Sequence, residues 1–177
     1  MVIDPRELLL LTILRIAKIL RIDFIPHLKS SKHSFTDYFK GFEKVEVVRQ
    51  LFGWKTEEVV RNLKVEFTFL GGYMGVSNRD GHISVNSRYL NNGDKIDIYL
   101  DVIHELVHVK QFMEGKELFD IHYGYTERPT EIEAYRHVVK EARNMGLSDK
   151  RICEYLKTEW MSDYELKKLA KTLNVKC

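Results

Sequence analysis

His104-Glu105-Leu106-Val107-His108 sets two imidazoles four residues apart, with a carboxylate beside the first. On a helix that spacing puts both histidines on one face, close enough to grip one zinc ion. Glu105 stands one residue, about 100°, further round the helix. It is too far round to join the ligand pair but can reach a water on the metal, where a general base must stand. The chemistry such a set performs is zinc-assisted hydrolysis. Val102, Ile103, Leu106 and Val107 are apolar, so the helix can be buried while its histidines face a cleft.

A zinc site needs a third protein ligand. The metzincin extension of the motif requires Gly at 111 and His at 114, where this chain has Gln111 and Glu114, and no cysteine precedes Cys153 to supply a thiolate. A glutamate on a later helix remains, and Pro129-Thr130-Glu131-Ile132-Glu133-Ala134 offers two. Glu131 shares a helical face with Ala134, Tyr135, Val138 and Ala142, the face that must turn inward. Glu133 lies with His137 and Lys140 on the solvated side. A buried carboxylate is costly unless it is paired or on a metal, so Glu131 is assigned as the ligand over Glu133, for one Zn2+ per chain.

Periodicity and punctuation outline the elements that position these residues. Apolar positions at helical spacing through residue 113, with Gly115 as a stop, make the motif helix. Its start is ambiguous, because Ile96, Ile98 and Leu100 also alternate like a strand. Residues 130–144 form the glutamate helix. Ser148 and Ser162-Asp163-Tyr164-Glu165 open two more, the second with a capping box. Upstream, Asp4-Pro5-Arg6-Glu7 opens a helix to about residue 21. Pro26 and residues 29–32 make a loop, Ser34 caps a helix through residue 50, and Thr56-Glu57-Glu58 starts a third. In between, residues 65–69 alternate as a strand, and 73–77 and 82–86 form two strands joined by Asn78-Arg79-Asp80-Gly81.

These elements predict an α+β fold: a small antiparallel sheet of about three strands, the motif and glutamate helices, and helices before and after them. Residues 1–62 read as a helical extension packed on a core of residues 63–177, the whole forming one unit. The strand carrying His82, Ile83, Ser84 and Val85 alternates polar and apolar side chains, as a sheet edge that pairs with an extended substrate should.

With 177 residues, 44% hydrophobic and 31% charged, the composition suits a globular domain and excludes a disordered chain. Lys and Arg number 28 against 26 Asp and Glu, a net charge of +2 that makes no case for nucleic acid. The uncharged run at residues 8–14 is far shorter than a bilayer requires, and the residues around it lack a signal-peptide layout. No membrane span is expected, and the location expected is cytoplasmic. Cys153 and Cys177 read as free thiols in a reducing compartment.

The HELVH sequence followed by a helix bearing Glu131-x-x-Ala134 resembles the gluzincin branch of zinc metallopeptidases. Short length, strands before the motif helix and a helical tail look most like the archaeal minigluzincins, over residues 64–177. The resemblance implies a zincin-like fold and hydrolysis of peptide bonds in a peptide or protein substrate. It also implies a Tyr or His donor to the oxyanion, for which Tyr125, Tyr123 and His122 stand in the loop before Glu131. Latency is implied as well, with residues 159–162 and the last helix lying over the cleft. Many gluzincins carry Asp four residues after the glutamate ligand to orient a histidine; here that position is Tyr135, so another group must support the ligands. The competing reading is a metallopeptidase-like regulatory or binding protein with structural zinc and no turnover.

Overall fold

A computed structural model describes residues 31–69 and 72–177. The helix expected at residues 4–21 and the loop around Pro26 lie outside the described residues. The chain opens with β1 (Lys32–Ser34) and α1 (Phe35–Tyr38), then a 3-10 turn at Phe42–Lys44, α2 (Glu46–Phe52), a second 3-10 turn at Gly53–Lys55 and α3 (Thr56–Asn62). The single helix expected at residues 34–50 is therefore broken. Gly41 adopts φ 85° and Val45 is extended, and each interrupts the helical hydrogen-bond ladder. The apolar spacing still serves a core: Phe35 stacks on Phe39, and Phe42 packs against both and against Tyr99.

The sheet contains β1, β2 (Lys64–Thr68), β3 (Met74–Val76) and β4 (Ile83–Asn86). Its order is β1-β2-β4-β3, with β2 and β4 parallel and the other pairs antiparallel. It is thus a four-stranded mixed sheet, not a three-stranded antiparallel one. After β2 the chain leaves a gap one strand wide, lays down β3 and returns to fill the gap with β4. Because β1 pairs with β2, the sheet also spans the boundary expected between residues 62 and 63. Val65, Phe67, Val76, Ile83 and Val85 point into the core, while Glu66 and Ser84 on the other face are only half-buried. The turn between β3 and β4 sits on the motif helix. Gly81 adopts φ 73°, and a Cβ there would lie 2.5 Å from the Phe112 ring, so a side chain is excluded by both conformation and space.

The rest is helical: α4 (Ser87–Asn92), α5 (Lys95–Met113), a 3-10 turn at Tyr125–Glu127, α6 (Pro129–Asn144), α7 (Asp149–Leu156) and α8 (Asp163–Thr172). Helix α5 starts at an Asp94 cap, whose side chain accepts from the Ile96 and Asp97 amides, and this decides the ambiguous start. Ser148 caps α7, and Ser162 with Glu165 forms the expected capping box on α8. Among the described residues no helix is long and apolar enough to cross a membrane.

The cysteines depart from expectation. Cys153 on α7 and Cys177 form a disulfide with their Cα atoms 5.4 Å apart, and neither is a free thiol. Asn174, at φ 54°, turns the chain back after α8. Val175 is then buried, and the Lys176 amide donates to Asp149 at the start of α7, which brings residue 177 to Cys153.

Candidate metal centre

Helix α5 is the axis of the molecule. Ile98, Leu100, Val102, Ile103, Leu106, Val107 and Val109 are all at most 3% exposed. Burying a side chain of this size contributes roughly 1.5–3 kcal/mol, so the row holds the helix in place despite the polar groups it carries inside. Those groups are His104, Glu105, His108 and Gln111, every one buried. Helix α6 packs alongside and supplies Glu131 from its first turn, after Pro129 at the first helical position. Ala134, fully buried one turn later, lets the two helices approach.

His104, His108 and Glu131 form the group of ligand atoms able to hold a metal ion among the described residues. The two Nε2 atoms are 2.9 Å apart, and Glu131 Oε2 lies 3.1 Å from His104 Nε2 and 3.5 Å from His108 Nε2. A tetrahedral zinc with ligands at about 2.0–2.1 Å separates those ligands by about 3.3 Å. The three observed separations straddle that value, so the donor set fits such an ion. Glu133, the competing glutamate, is absent from the group and pairs with Lys116 at 2.8 Å.

Support for the ligands comes from Gln111. Its Nε2 donates to the Thr130 carbonyl (3.0 Å) and to Glu133 Oε2 (2.9 Å), which fixes which way the amide faces. Its Oε1 is therefore turned to His108 Nδ1, 2.7 Å away. An amide oxygen can only accept, so Nδ1 carries the proton and Nε2 keeps its lone pair for a metal. Gln111 lies one turn after His108 on the same face, and that spacing was the signal available in the sequence. Glu133, read there as a solvated residue, anchors this amide. Tyr135 packs its ring edge-on against His104 with centroids 4.6 Å apart.

Without a metal, burial lowers the His104 pKa. Burial would lower His108 too, but the hydrogen bond to Glu131 and the neighbouring Glu105 carboxylate outweigh it and lift His108 to about 9. Burial opposes ionisation of Glu131, yet hydrogen bonds from both histidines hold it well below the usual carboxylate range. Glu105 is different. Burial pushes it up to about 8, and its Oε2 is buried with no hydrogen-bond partner. An orphaned carboxylate oxygen beside three converging ligand atoms is the arrangement a proton acceptor needs.

These residues line a cleft of about 450 Å3. Of the expected oxyanion donors, Tyr125 lines it, with its hydroxyl 2.9 Å from that of Tyr135. Burial, then the nearby Tyr135, raise the Tyr125 pKa, so it stays a protonated donor. His122 and Tyr123 are exposed and outside the cleft lining. His82, Ile83, Ser84 and Val85 do not form an edge: β4 is flanked by β2 and β3. The cleft is lined instead by Met74, Gly75 and Val76 of β3, which has β4 as its one strand neighbour among the described residues. Trp160, from the segment expected over the cleft, stands in its wall beside Thr158. No protein-family model, curated protein or solved structure matches this chain.

Proposed function

We propose that this chain is a zinc-dependent peptidase of zincin-like, gluzincin type. The observation that carries the reading is the orphaned Glu105 oxygen beside the convergent His104, His108 and Glu131. These three residues would hold the ion, which when bound supplies the Lewis acidity that activates water and polarises a carbonyl. Glu105 accepts the proton of the attacking water through Oε2 and returns it to the leaving amine. Gln111 keeps the His108 lone pair directed at the site. The Tyr125 hydroxyl, held by Tyr135, donates to the oxyanion as it develops. An extended peptide adds to the outer edge of β3, a main-chain pairing independent of side-chain sequence.

Metal analysis and casein digestion of the full-length chain and of Glu105→Gln test this. One zinc per chain is expected in both, with cleavage lower by about 10²–10⁴-fold in the variant. Equal cleavage by the two proteins would remove Glu105 from the reaction and overturn the reading.

A further inference from the structure

The cleft also holds a carboxylate that the hydrolytic reading does not use. Asp101, one turn before His104 on α5, lines the cleft and accepts from the Tyr89 hydroxyl at 2.5 Å and the Tyr155 hydroxyl at 2.8 Å. Both donors are neutral, so no cation balances the charge. The nearby cations are engaged elsewhere: Arg151 pairs with Asp94 at 3.0 Å and with Asp97, and Lys157 with Asp163 at 3.1 Å.

Aromatic rings run from this carboxylate toward the triad. Tyr73 packs on Tyr89 with centroids 4.6 Å apart and on Trp160 at 5.8 Å, and all three line the cleft. Trp160 in turn meets Tyr125. Aromatic rings and a carboxylate without a cationic partner in one cavity wall are surroundings that stabilise a cation. A second observation points to a ligand in the same space: the Thr158 hydroxyl, two residues before Trp160 in the cleft wall, is buried with no hydrogen-bond partner.

We infer that Asp101, with Tyr73, Tyr89 and Trp160, forms a subsite for the cationic side chain of a lysine or arginine in the bound peptide. The inference rests on the peptidase reading for its substrate class, but its test is a binding measurement. An ammonium reaching Asp101 would exchange water for a carboxylate and aromatic faces. A neutral side chain of the same length would leave the carboxylate unbalanced.

Zinc-loaded full-length Glu105→Gln, which should bind without cleaving, is titrated calorimetrically with two alanine-based hexapeptides. Both are acetylated and amidated, and they differ only in one central lysine or norleucine. The lysine peptide is expected to bind about tenfold more tightly, and adding Asp101→Asn should bring the two within about twofold. If circular dichroism shows that the Asp101 variant does not fold, Trp160→Ala, at an exposed position, takes its place and should also narrow the gap. Equal affinities in the parent, no measurable binding of the lysine peptide, or a gap unchanged by the variants would overturn the subsite. A lysine preference in a chain that never digests casein would leave the subsite standing and sink the peptidase reading. Digestion without the preference would do the reverse.

Discussion

The triad and the Asp101 cluster, both in the wall of one cleft, are built by opposite means. At the triad, two ligands come from one turn of α5 and the third from the first turn of the next long helix, and their charges compensate one another. At the Asp101 cluster, α4, α5, α7 and the loops carrying Tyr73 and Trp160 each bring a single group, and a carboxylate is left with tyrosine hydroxyls as its hydrogen-bond donors. Local assembly yields a set of possible ligands whose charges offset one another. Distant assembly tolerates an unbalanced charge, which is a cost in the free chain and a handle for a ligand.

That contrast can be broken first at the triad. His108→Ala removes one of three ligand atoms and strands Gln111, and the variant should lose stoichiometric zinc on dialysis while keeping its helical content. Retention of one zinc per chain, read by plasma emission, would show that the metal sits elsewhere. The Glu105→Gln variant is expected to divide the same group differently, keeping metal and losing turnover.

Asp101 sharpens the other side of the comparison. Burial raises its pKa from 3.8 to about 6, so the folded chain holds this proton more tightly than the unfolded chain does. The associated stability is fully present below pH 3.8 and is lost as pH rises through 6, a total of about 3 kcal/mol. Asp101→Asn escapes that loss. Its stability relative to the parent should grow between pH 4 and pH 7 by up to about 3 kcal/mol in urea unfolding. A constant difference across that range would mean that Asp101 is not an electrostatic burden. Gln111→Leu has the smallest expected effect: with the His108 tautomer no longer held, zinc affinity should fall about 10–100-fold by competition with a chelator. Unchanged affinity would assign the support of His108 to another group.

How much of this was legible in the sequence depended on the distance between partners. The caps on α7 and α8 and the Gly115 stop of α5 are local signals, and the helix ends they mark appear where those signals placed them. Strand β1 escaped because three residues are too short for a period-2 pattern and its partner, β2, lies about thirty residues later. The break at Gly41 escaped because apolar spacing continues across it. The Cys153–Cys177 bond required the turn at Asn174, which no spacing of cysteines encodes.

By itself, the sequence determined which three side chains converge as possible metal ligands. An i, i+4 histidine pair follows from 3.6 residues per turn, and the inward face of α6 follows from the same periodicity, which separates Glu131 from Glu133. Tertiary structure alone decided the rest. It put β4 inside the sheet and β3 at its edge, turned the Gln111 amide to His108, and left Asp101 among tyrosines from two other helices. Each of those outcomes depends on hydrogen-bond partners far away in the chain, and one segment's periodicity carries information only about its own faces.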